Sequence, residues 1–205
     1  MACVLQIRPV MPSVRPTAPT IRARAGEAGA SLTEVLIVVG IIAVVMAITV
    51  LVMPAALVHA RADSGAAQVT ATLRVAREQA IAQRRNVQVN FIAPDRITVQ
   101  RVEIPGPGTT MISDVRLEGG ATFRLMPGLP DTPDAFGNPS PTAFPGAVTV
   151  AFTSTGELVD ENGDPVNGTV FLGTAGAPLS ARAITVFGPS ALIREWRWAG
   201  TRWER

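Results

Sequence analysis

The chain lacks most of the residues that enzymes rely on. Of its 205 residues, one is cysteine, one is histidine, and none is tyrosine or lysine. A single thiol, Cys3, excludes an internal disulfide and a cysteine-built metal site. A single imidazole, His59, argues against zinc. Ser154 and Ser190 have no histidine–aspartate companions within reach in the sequence. There is no phosphate-binding loop and no dinucleotide fingerprint, and the acids are scattered. The expectation is a protein with no catalytic residues, no metal and no cofactor.

All 18 basic residues are arginine, and the sequence pI is near 9.8. The charge is uneven. Residues 1–29 hold four arginines (Arg8, Arg15, Arg22, Arg24) and one acid, Glu27. Residues 30–205 then carry 14 arginines against 15 acids, a formal net charge of −1. The basic balance belongs to the first segment, so it does not mark the whole chain as a nucleic-acid binder.

What the chain does have is one long apolar run. Residues 35–53 contain no charge and one hydroxyl, Thr49. About 20 helical residues cross the ~30 Å hydrocarbon core of a bilayer. The run is apolar on every face, which a surface helix is not. Arginines ahead of it favour a cytoplasmic N-terminal end. The run is longer than a secretory signal core, and its small residues lie before it. Glu34 sits at its edge, where a carboxylate is unfavourable and usually has a partner. Pro54 ends the run by kinking or stopping the helix.

The segment Gly29-Ala30-Ser31-Leu32-Thr33-Glu34, followed by V-L-I-V-V-G-I-I-A-V-V, resembles the class III signal of type IV pilins and type II secretion pseudopilins. The resemblance implies cleavage after Gly29 by a prepilin peptidase and N-methylation of Ala30. It makes Glu34 the fifth residue of the mature chain, pairing with the N-terminal amine of a neighbouring subunit for axial registration. Ala30 stands where the family usually has phenylalanine. Met11 is an alternative start.

Beyond Pro54 the helical pattern persists. Val69, Leu73, Ala76 and Ala80 share one helix face, and the helix should end near Arg85-Asn86. Gly65 is a weak point within it, at about 1 kcal/mol against alanine. His59 reads as a solvated residue just past the membrane edge. From Val87 the period becomes two: Val87, Val89 and Phe91 form a half-buried strand, and Ile97 and Val99 its partner. A second strand pair is expected over 109–117 and 122–125, joined at Gly119-Gly120. Residues 126–146 are rich in proline and glycine and read as an exposed loop. Strands resume at 148–152, 169–172, 182–187 and 191–198. Asp160 to Asp164 reads as a polar hairpin turn with Asn162-Gly163 at its tip.

The stretches LRVAREQAIAQRRNVQVNF, FTSTGELVDENG, GTVFL and RAITVFGPSALIREWRW resemble GspH/FimT-type minor pilins. The expected architecture is α+β. A leader, 1–29, is removed. A transmembrane assembly helix spans 30–53 and an amphipathic spine 54–86. A β-rich head, 87–205, carries the loop at 126–146. The helix packs on antiparallel sheet. The resemblance implies a minor pilin or pseudopilin. Its partners are prepilin peptidase, other pilin subunits, an inner-membrane assembly platform and, before assembly, membrane lipid. It implies a single pass through a bacterial inner membrane, N-terminus cytoplasmic and head periplasmic, and then a place in a filament.

The last twelve residues hold all three tryptophans and four arginines. Alternation puts Trp196 and Trp198 on one strand face and Arg197 on the other. The simpler reading is that the tryptophan pair closes the core against the helix, with arginine over indole. The alternative is a DNA-uptake pilin that contacts nucleic acid through Arg194, Arg197, Arg202 and Trp203.

Overall fold

The computed structural model describes residues 31–106 and 108–205. Gly29, Ala30 and the leader lie outside the described residues. The chain separates into two compact units, Met1–Val45 and Met46–Arg205. The architecture is α+β: one helix followed by antiparallel strands.

Helix α1 is Leu32–Gln83. Its start is capped, because the Ser31 hydroxyl accepts the Glu34 backbone N–H at 3.2 Å. That satisfies one of the donors a helix start leaves open. The helical assignment is unbroken through Pro54. Proline there removes the N–H that would have served Val50 and crowds that carbonyl, yet it does not end the helix.

In the second unit, α1 presents a stripe at alternating spacings of three and four. Val69, Ala76 and Ala80 are 0% exposed and Leu73 is 1%. These are the residues the helical period singles out. Around them pack two sheets. The first has the order β3 (Thr109–Arg116), β2 (Arg96–Val102), β1 (Val87–Ile92), β6 (Val150–Phe152), β7 (Leu158–Val159). The second runs β11 (Trp203–Glu204), β10 (Leu192–Trp198), β9 (Ala177–Phe187), β8 (Gly168–Thr174), β4 (Thr122–Phe123), and β5 (Thr142–Ala143) also pairs with β8. Val87, Val89, Ile97, Val99 and Phe152 of the first sheet meet Val170, Leu172, Ile184 and Val186 of the second in one core over the helix stripe.

Three expectations are corrected. Residues 109–117 and 122–125 do not form a hairpin. β3 pairs with β2 and β4 with β8, so the turn at Gly119-Gly120 carries the chain from one sheet to the other. Leu117 and Ala121 flank that turn and are buried under α1, at 4% and 1% exposure. A Cβ built on Gly65 would lie 2.6 Å from Ala121 Cβ. Gly65 is therefore a point of close approach, not merely a soft place in the helix.

Second, residues 126–146 are not simply exposed. Met126, Thr132 and Ala143 are buried, and β5 is hydrogen-bonded to β8. Third, the tryptophans do not close the core against the helix. Trp203, with Trp196 and Trp198 beside it, packs with Met126, Phe171, Ala181 and Ala183 in a separate cluster. The reason is the period of two. On β9, residues Ile184 and Val186 join the helix-facing core, while Ala181 and Ala183 join the tryptophan cluster.

Candidate assembly segment and carboxy-terminal strand

Two regions carry the candidate functional residues. The first is the start of α1. The cleavage and methylation residues, Gly29 and Ala30, lie outside the described residues. Glu34 stands in the first turn of α1, and its carboxylate has no ion-pair or hydrogen-bond partner among the described residues. Leu32–Val50 is long and apolar enough to cross a membrane, with a mean hydropathy of 2.6 and none of it buried within the chain. Leu32, Leu36, Ile37, Ile41 and Val44 are each more than half exposed. An apolar surface of this extent needs lipid or other chains around it. Sequence reasoning missed Ser31. The pattern Ser31-Leu32-Thr33-Glu34 matches the spacing of a capping box and could have shown it.

The second region is β10 with β11. Arg194 Nη1 bonds the carboxylate of Asp134, in the segment between β4 and β5. The Thr185 hydroxyl donates to the same carboxylate at 2.6 Å and Trp196 Nε1 at 3.1 Å. Trp203 Nε1 donates to the Pro130 carbonyl at 2.9 Å, and the residue is 7% exposed. The segment is shaped from within as well, because Asp131 accepts the backbone N–H groups of Thr132 and Gly137, each at 2.7 Å. The carboxy-terminal strand thus clamps the proline-rich segment onto the second sheet.

Asp134 is the hub of this clamp. Burial pushes its carboxyl group up. The hydrogen bonds from Thr185, Trp196 and Arg194, with the charge of Arg194, outweigh that and hold it below the usual carboxylate value. Sequence reasoning did not single out Asp134, since nothing local distinguishes it from Asp131.

Of the four candidate nucleic-acid contacts, Arg194 and Trp203 are thus engaged within the head. Arg202 pairs with Glu204 at 3.0 Å and stays exposed. Arg197 is exposed and has no ion-pair or hydrogen-bond partner among the described residues. An arginine does lie over an indole, but it is Arg205, 5.7 Å from the Trp196 ring centre. The acids at 160–164 serve a turn: Asp160 accepts the N–H groups of Asn162 and Asp164, both at 2.9 Å.

Comparison with protein-family models gives no match, and comparison with curated proteins gives none. Among solved structures, the chain is similar to the type IV minor pilin FimU of Pseudomonas aeruginosa. The identity is 17% and the TM-score 0.45, over 70% of this chain and 92% of that one. It is also similar to the minor pseudopilin EpsH of the type 2 secretion system of Vibrio cholerae. There the identity is 15% and the TM-score 0.43, over 67% of this chain and 97% of that one.

Proposed function

We propose that this chain is a minor pilin or pseudopilin, a structural subunit of a type IV pilus or a type II secretion pseudopilus, and not an enzyme. The observation that carries the reading is the apolar start of α1. It begins at a capped Ser31, bears at Glu34 a carboxylate with no partner among the described residues, and has none of Leu32–Val50 buried. It follows directly on Gly29-Ala30, the residues that resemble a prepilin cleavage site.

The physical logic is a helix that serves in two solvents. In the inner membrane its apolar faces meet acyl chains, with the head in the periplasm. In a filament the same faces meet neighbouring helices, drawn in through an assembly platform. Prepilin peptidase, cutting after Gly29, frees the amine of Ala30 and methylates it. Glycine at the cut leaves an unhindered extended backbone. A carboxylate buried among apolar helices must be paired, and a neighbour's amine paired with Glu34 sets the axial register.

The test is the intact mass of the full chain co-expressed with a prepilin peptidase. The expected product begins at Ala30 and carries one added methyl group, and Gly29→Leu leaves the leader in place. An unaltered N-terminus in the presence of active peptidase rejects the reading.

A further inference from the structure

The register of β10 on β9 sets Arg197 directly opposite Arg182. Like charges in directly opposed positions repel. One acid answers Arg182. Asp63 of α1 accepts from Arg182 Nε at 2.6 Å, and Arg182 Nη1 donates to the carbonyls of Leu179 and Ala181. Arg182 is a built-in charge, with its side chain 4% exposed. Arg197 forms no ion pair among the described residues; Glu204, opposite it in the register of β11 on β10, is held by Arg202. Between Arg182, Arg197 and the helix is an open-sided cavity of about 340 Å³, also lined by His59 and bordered by Trp198 and Leu179.

Its position along the chain narrows what could fill it. His59 lies six residues, about 9 Å of helix rise, beyond the apolar run 35–53, and Asp63 follows one turn later. A run of that length is enough to span the hydrocarbon core, so the residues just beyond it belong at the headgroup level. Tryptophan and arginine are favoured at that level, the first for its amphipathic ring and the second because its stem can lie along apolar surface while its charge reaches phosphate. Leu179, at the cavity rim, is half exposed.

We propose that this cavity seats the phosphate of an anionic phospholipid headgroup, with Arg197 as its cation, and so rests the head on the membrane before assembly. The inference depends on the membrane anchoring argued above. Asp63 does not oppose it, because its carboxylate is already held by Arg182. Withdrawal of the subunit into a filament breaks the lipid contact and leaves Arg197 free again.

The experiment uses the full chain in lipid nanodiscs, either phosphatidylcholine alone or with roughly one third phosphatidylglycerol. Amide hydrogen exchange is followed at residues 179–182 and 197–199. In the anionic discs these amides should exchange about fivefold more slowly, the gain expected from one surface arginine. Arg197→Gln should remove the difference. Arg84→Gln, just past the far end of α1, should leave it. Equal exchange in both discs overturns the proposal. So does equal protection by inorganic phosphate added to the neutral discs, which would make the cavity a free-phosphate site. Protection by a single-stranded oligonucleotide but not by anionic lipid would overturn it in favour of nucleic acid. A chain that does not enter discs at all defeats the anchor reading. One that enters discs but ignores the headgroup defeats only the docking.

Discussion

Gly188→Ala should lower the thermal unfolding midpoint of the full, detergent-solubilised chain by about 6–12 °C. A Cβ at this position would meet the backbone of Val166, with O, N and C at 2.6, 2.7 and 2.8 Å. These atoms cannot swing aside as a side-chain end could. The Gly188 carbonyl accepts the Leu158 N–H at 2.9 Å, and its own N–H donates to Asn167 Oδ1 at 2.8 Å. Separating the two segments therefore strains or breaks those bonds as well. Overpacking typically costs about 1–3 kcal/mol, and backbone on both sides puts this site at about 3 or above. Gly108→Ala is the control, because nothing lies within 4 Å of its Cβ position. Calorimetry that finds the two variants alike would show that the Val166 segment can yield.

Asp134→Ala should cost about 2–3 kcal/mol. It strips Arg194, Thr185 and Trp196 of a shared acceptor, and Arg194 is open enough to solvent to soften the loss. The unfolding midpoint should fall by about 5–10 °C. The pH dependence gives a sharper reading. The Asp134 carboxyl is held below its unfolded value, so its contribution is present above the ordinary carboxylate range and is lost as pH falls through the lower, folded value. In Asp134→Asn that part of the acid slope should vanish, with wild type and variant converging as pH drops. Parallel midpoint curves from pH 7 to strongly acid solution would show that this carboxylate does not couple to folding.

The helix stripe and the first strands were legible because their signals are local. Val69, Leu73, Ala76 and Ala80 mark one face by spacing alone, and Val87, Val89, Ile97 and Val99 alternate with polar residues. The clamp was not legible. Thr185 is 51 residues from Asp134, Arg194 is 60 away, and Trp203 is 73 from Pro130. No periodicity connects positions so far apart. Composition marks residues 126–146 as lacking a regular period, but the burial of Met126 comes from the tryptophan cluster and that of Ala143 from the helix-side core. The false hairpin at Gly119-Gly120 has a similar cause. A glycine turn says that the chain reverses, not which strand receives it. At the other end of the chain, Arg194 and Trp203 entered the nucleic-acid alternative because an arginine–tryptophan run resembles a binding surface until its partners are known.

β9 separates two layers that share no side chains. Ile184 and Val186 serve the helix, and Thr185 and Ala183 serve the clamp. The clamped segment is therefore an interchangeable part. A substitute needs an apolar residue over Phe171 and Ala183, an acceptor for the Trp203 N–H, and a carboxylate between Thr185 and Arg194. A sequence that meets those three conditions could vary at the exposed positions between them, and so present a new outer surface on an unaltered spine.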